Sequence, residues 1–222
     1  MPPHLDIAHP ERALAVHHAS RLSQESLATL FAIDERLAGI VARTRETTIG
    51  LMRLVWWRDA LAALDQAPPP AEPLLASAAA LRPDRVSGTE LSEMVQGWEA
   101  LLDDPDMGGE TLAIHARARG GQLFRLAGRV LGAEPAWLTD AGEGWALADL
   151  ARHMSDPSKS PVILEAARTP LERVGAWPHR LRPLGMLTVL AREDVRRGTG
   201  ALRPPGCRRR MLRVLFHQIT GR

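Results

Sequence analysis

The chain has one cysteine, Cys207, no tyrosine and, apart from Lys159, no lysine. A lone thiol excludes an intrachain disulfide and any thiolate-rich metal site, and it fits a reducing compartment. Aromatic residues make up only 4% of the 222 residues, and β-branched residues are sparse, so almost nothing is offered to a sheet. No window approaches the roughly 18 consecutive apolar residues that span a bilayer. The stretch Met1 to Pro10 lacks the basic and then apolar pattern of a secretory signal. These absences point to a cytoplasmic protein, neither secreted nor integral to a membrane.

What is present is alanine, leucine and arginine, residues with high helix propensity, and the expected class is all-α. Hydrophobic residues at 45% and charged residues at 24% are ordinary for a globular chain and exclude wholesale disorder. The length allows one large domain or two small ones, and a single domain over 1–222 is the reading adopted. The pI of 9.4 overstates basicity: 28 basic against 26 acidic side chains leave a net charge of +2. Arginine in place of lysine raises the pI, because guanidinium stays protonated far above ammonium. Bulk charge therefore implies no nucleic-acid partner.

Helical periodicity recurs along the chain. Ser23 is placed to cap a helix running to about Val41, with Leu27, Leu30, Phe31, Leu37 and Val41 on one side and Asp34 among them. A second helix runs from Thr48 to about Asp65 and stops before Pro68-Pro69-Pro70, a proline run that reads as a loop. Ser87 and Glu90 form a capping box for a helix from Gly88 to Leu102, with an apolar stripe through Leu91, Met94, Val95, Trp98 and Leu101. Further helices are expected at about 110–131, closed by Gly132, and at 135–155, 178–197 and 208–220. Seven or eight helices with short connections make an α-bundle.

One stretch is distinctive. Arg45 to Leu61, RETTIGLMRLVWWRDAL, resembles the second long helix of the squalene and phytoene synthase family, including its bacterial members and a related mitochondrial complex I assembly factor. The resemblance covers roughly Leu27 to Arg222 and leaves 1–22 poorly matched. It implies an isoprenoid-synthase-like bundle around a central cavity. The family's enzymes join two prenyl diphosphates head to head. Mg²⁺ neutralises the departing phosphates, and carboxylates four residues apart on facing helices hold the metal.

With the tryptophan helix as a ruler, the first aspartate motif falls on Leu30 to Ala42, and Ala38, Gly39 and Ala42 stand where the three aspartates belong. Asp34 and Glu35 remain acidic, about one helical turn away. The second motif falls on Ala146 to Pro157. Arg152 is in register, His153 and Pro157 replace the two metal-binding aspartates, Asp149 replaces an asparagine, and Asp156 sits one residue early. The run ARARGGQLFRLAGRVLG within 113–132 is similar to the family's small-residue helix, whose glycines let helices approach closely beside the pocket, and Gly142 and Gly144 suit the same role. Residues 181–197 resemble the late helix that closes the cavity.

Each candidate has a plainer reading. Asp149, His153 and Asp156, at spacings of four and three, can share a face and hold one divalent ion, or else His153 meets a helix dipole and Asp156 begins a turn. A buried Asp34 needs a cationic partner, for which Arg53 and Arg152 are the candidates. Arg53, Trp56 and Trp57 either line a pocket for an isoprenoid tail and its anionic head or belong to the core and an interface. His17, His18 and His115 have no motif partner and read as surface or satisfied histidines. The last helix, with Arg208, Arg209, Arg210 and Arg213 among Leu212, Leu215, Phe216 and Ile219, either rests on an anionic membrane surface or docks its apolar side on the bundle and leaves its arginines solvated. Cys207 has no evident base and is no candidate nucleophile.

The reading that follows is a squalene/phytoene synthase-like protein without prenyl transfer. It would bind an isoprenoid or other lipid or a protein partner, in assembly of a membrane complex, and would be cytoplasmic or peripheral at the inner face of a membrane. Its candidate binding residues are Asp34, Arg53, Trp57, Asp149, Arg152, His153 and Asp156, and it needs no cofactor. The alternative is an active head-to-head prenyltransferase that binds Mg²⁺ through a relocated set of Asp34, Glu35, Asp149 and Asp156, which requires those carboxylates to converge on one cavity.

Overall fold

The computed structural model of the chain describes residues 7–81 and 86–221, and among these the regular structure is helical throughout. The long helices follow the apolar periodicity: α2 (Arg21–Arg43), α3 (Thr47–Ala63), α5 (Gly88–Asp103), α8 (Leu138–His153), α11 (Arg182–Arg197) and α12 (Arg208–Thr220). Shorter helices fill the connections: α1 (Pro10–His18), α4 (Pro73–Ala79), α6 (Gly109–His115), α7 (Gln122–Leu131), α9 (Ser160–Ala166) and α10 (Arg168–Glu172). These short pieces take the helices past the expected seven or eight. Proline at their first turns starts α1, α4 and α9, and none carries the long apolar stripe that marks a helix in sequence.

Local chemistry sets most boundaries. The Ser87 hydroxyl accepts from the Glu90 amide at 3.1 Å and the Glu90 carboxylate accepts from the Ser87 amide at 3.1 Å, which completes the expected capping box of α5. Gly132, at φ 79°, closes α7 in the left-handed conformation that a side chain disfavours. The Glu72 carboxylate caps α4 immediately after the proline run, accepting from the Leu74 and Leu75 amides. Ser23 is not a cap. The helix begins earlier, after Ser20, and Ser23 reaches the Val130 carbonyl at 3.2 Å.

The expected helix over 110–131 is broken in the middle. Ala116–Gly121 forms a π-helical turn between α6 and α7, which are otherwise nearly continuous. Two neighbours pack on this turn at unusually short range. A Cβ at Gly120 would stand 2.1 Å from the Gly142 carbonyl oxygen, and one at Gly142 would stand 2.1 Å from the Gly120 carbonyl oxygen, so α8 and the π turn meet backbone to backbone. On the other side, a Cβ at Gly97 of α5 would lie 2.8 Å from the Arg119 amide nitrogen. The close approach expected at these small residues is present, and it presses Arg119 between α5 and α8.

A single apolar cluster runs from Ala15 to Val214, with Leu27, Phe31, Leu61, Leu91, Phe124, Trp145 and Leu184 inside it. Trp57 belongs to this core, while Trp56 and Arg53 are at the surface. No helix among the described residues is long and apolar enough to cross a membrane.

Candidate functional site

Polar side chains are buried at the centre of this bundle. Asp34, on the apolar face of α2, is fully buried, and Asp149 of α8 nearly so. They face each other across Arg119. Its Nε donates to Asp34 Oδ1 at 2.8 Å, and one terminal nitrogen donates both to Asp34 Oδ2 at 3.0 Å and to Asp149 Oδ2 at 2.6 Å. The fork therefore grips Asp34 with two bonds and shares one nitrogen with Asp149.

Arg12 of α1 closes the square: it lies 3.2 Å from Asp34 Oδ2, donates to Asp149 Oδ2 at 3.1 Å and comes within 3.6 Å of Glu35. Asp34 thus pairs with Arg119 and Arg12, not with Arg53 or Arg152. Arg53 is exposed on α3, and Arg152 forms its ion pair with Asp194 at 3.0 Å and donates to the Arg203 carbonyl.

The electrostatics follow from burial and charge. Burial by itself pushes the Asp149 carboxyl up, but the adjacent Arg12 and Arg119 guanidiniums outweigh it and hold the group far below the usual carboxylate range. Burial opposes the charge on Arg119 as well, yet Asp34 and Asp149 together raise it above an ordinary arginine. His115, also fully buried, donates from Nδ1 to the Gly97 carbonyl at 2.7 Å and presents Nε2 to Arg119 at 3.4 Å. Burial, and then the Arg119 charge, lower its pKa to about 3, so it is neutral and orients the guanidinium. The Arg119 guanidinium also lies over the Trp98 and Trp145 rings, 4.3 and 4.9 Å from their centroids.

A second cluster continues the first through the adjacent residue of α1. Glu11 accepts from Arg210 Nε at 2.5 Å and from its terminal nitrogen at 2.9 Å, and Arg210 donates to Asp194 at 2.6 Å. Burial raises the Glu11 carboxyl, and the Arg210 hydrogen bonds more than compensate, leaving it low. Arg152 completes this set through Asp194. Four arginines, Arg12, Arg119, Arg152 and Arg210, therefore pair with four acids, Glu11, Asp34, Asp149 and Asp194, along the inside of the bundle.

Above the first cluster opens a cavity of about 910 Å³. Arg12, Arg119 and Asp149 form its polar floor, and Val41, Trp98, Leu101, Leu150 and Met154 give it apolar walls. Ala38 and Ala42 of α2 line it together with His153 at the end of α8 and Asp156 in the turn that follows, so three of the five positions picked out by register border one space, while Gly39 and Pro157 do not line it. Of the seven candidate binding residues, Asp149, His153 and Asp156 reach this cavity and Asp34 is bound to its floor. Arg152 faces the second cluster, and Arg53 and Trp57 are not among the lining residues.

The donors do not suit Mg²⁺. His153 Nδ1 donates to the Asp149 carbonyl at 2.8 Å at the end of α8, and Asp156 accepts from the amide and hydroxyl of Ser158 in an exposed turn. Glu35 accepts from the amides of Ala8 and His9. Asp34 and Asp149 already satisfy two guanidiniums. Among the described residues no three histidine, cysteine or acidic side chains gather as a metal site. Glu35, Asp149 and Asp156 of the relocated set do line the cavity, with Asp34 bound to its floor, but Asp34 and Asp149 are paired with arginines and Glu35 and Asp156 accept from backbone amides.

Sequence reasoning missed Arg12, Arg119 and Glu11, and it took Arg210 as one of the outward arginines of the last helix, not as a buried partner of Glu11 and Asp194. A signal existed for Arg119, which shares a helical face with Leu112, His115 and Leu126, and for Arg12, on one face with Ala15 and Ala19. A charge inside an apolar stripe was recognised for Asp34, and the same reading applied to arginine finds its partners. Comparison with protein-family models, curated proteins and solved structures finds no match to this chain.

Proposed function

We propose that this chain is a squalene/phytoene synthase-like binding protein in which prenyl transfer has been lost and the cavity holds an amphipathic ligand of isoprenoid type. The observation that carries the reading is Arg119, whose guanidinium joins Asp34 to Asp149 at 2.8 and 2.6 Å. Cations supplied by the protein occupy Asp34 and Asp149, while in the register of the resemblance Ala38, Ala42 and His153 fall where the metal-binding aspartates belong. Without converging free carboxylates, a departing diphosphate has no divalent ion to take up its charge.

The cavity favours a ligand with a long apolar body and a small polar end. Its volume of about 910 Å³ lies within the usual small-molecule range, and its lining combines the buried Arg12, Arg119 and Asp149 with apolar side chains. The polar end of the ligand meets Arg12 and Asp149, and the apolar body runs along Leu101, Leu150 and Met154.

Titration calorimetry with a C15 or C20 isoprenoid alcohol tests this. Saturable binding is expected, weakened at least about tenfold in the Ala38→Phe/Ala42→Phe double variant, which fills the cavity wall. Absence of saturable binding, or equal affinity in the filled variant, overturns the proposal.

A further inference from the structure

The last helix sits on the bundle the opposite way round from a usual surface helix. Its inward residues are Arg210, Val214 and His217, at spacings of four and three, and Arg210 is drawn in by Glu11 and Asp194. The buried acids thereby decide which face of α12 docks, and the apolar stripe is left outside. Leu212 is 58% exposed, Phe216 53% and Ile219 77%, with Leu215 beside them at 41%. This reverses the plainer sequence reading, in which the apolar side docks and the arginines are solvated.

The stripe is bordered by cations. Arg196, Arg203, Arg209 and Arg213 line the groove of about 720 Å³ along these apolar residues, with Glu193 as its one acid. Glu193 is already paired with Arg197 at 2.8 Å and Arg203 at 3.2 Å. A neighbouring hollow of about 650 Å³ shares Arg196 and Arg213 and adds Arg168 and Arg192, with Glu172 among them. Residues 208–220 contain no acid.

We infer that the outward face of α12 is a docking surface for an anionic lipid bilayer. Leu212, Leu215, Phe216 and Ile219 enter the boundary between headgroups and acyl chains, and the flanking arginines meet lipid phosphates. The residues from Leu212 to Ile219 span only about 10 Å along the axis, so the helix lies in the plane of the interface. Long arginine side chains at the border of an apolar stripe reach the headgroup level while their stems stay in the apolar layer. A bilayer is favoured over a protein partner because the cations flank the stripe broadly, and charge complementarity then needs only a diffuse field of phosphates.

Flotation of the full chain with vesicles provides the test. Binding to phosphatidylcholine vesicles containing about 30% phosphatidylserine is expected to exceed binding to phosphatidylcholine alone by at least about tenfold, and to fall at about 0.5 M salt. The Phe216→Glu/Ile219→Glu variant alters only exposed positions. It should keep the wild-type circular dichroism and melting behaviour and lose at least about tenfold in binding. Arg196→Gln/Arg209→Gln should lose the preference for anionic vesicles, whereas Ala38→Phe/Ala42→Phe should bind them as the wild type does, which separates this surface from the cavity. Equal binding to both vesicle types, or unchanged binding of the Phe216/Ile219 variant, overturns the inference. So does self-association in the absence of vesicles that depends on Phe216 and Ile219, which would make a second copy the occupant.

Discussion

Arg119 is fully buried, and only its neighbours make that tolerable: two carboxylates, a neutral imidazole and two indole faces. Removing one member of such a set leaves buried charge without compensation, which is costlier than the set itself is stabilising. Arg119→Leu is therefore expected to destabilise the fold by about 3–5 kcal/mol in urea unfolding, since Asp34 and Asp149 would then share Arg12 alone. His115 gives a pH signature. Its folded-state pKa, near 3, lies below the ordinary 6.5, so the unfolded chain binds the extra proton between those values and stability falls as pH drops through that window. From about pH 7 to about pH 5 this one residue should account for a loss of about 2 kcal/mol. His9 and His18, also lowered by burial, add to the wild-type slope, so the readout is the difference between the wild type and His115→Asn. The variant should show the shallower dependence.

At the scale of elements, the site exists because three backbones approach closely. The π turn, α8 and α5 meet at Gly120, Gly142 and Gly97, and this contact fixes the Arg119 backbone between its partners. Gly142→Ala would bring a Cβ against a carbonyl oxygen that cannot move independently. A loss of about 2–3 kcal/mol in urea unfolding is expected, with a displaced Arg119 visible as altered protection of the α8 amides in hydrogen exchange. Much of this level was legible beforehand. The capping box at Ser87 and Glu90, the stop at Gly132 and the small residues near Gly120 and Gly142 are local signals, and each is found where it was read. The π turn was not legible, because its composition reads as a helix, and neither was α1, whose Glu11 and Arg12 act through contacts with residues far away in sequence. The orientation of α12 was left open between two readings for the same reason. Its apolar stripe suggested one docking face, but Glu11 and Asp194, supplied by α1 and α11, draw in Arg210 and select the other.

The whole molecule combines a network of arginines and acids inside the bundle, an amphipathic cavity above part of it, and an apolar stripe edged with arginine on its outer surface. The network is the feature that separates the proposed binding role from prenyl transfer, since the same acids cannot serve two guanidiniums and a cluster of Mg²⁺ ions at once. The most direct test is release of pyrophosphate from farnesyl and geranylgeranyl diphosphate with and without Mg²⁺, using the wild type and Asp149→Asn. No Mg²⁺-dependent release above background is expected from either protein. Mg²⁺-dependent turnover by the wild type that Asp149→Asn abolishes would contradict the account.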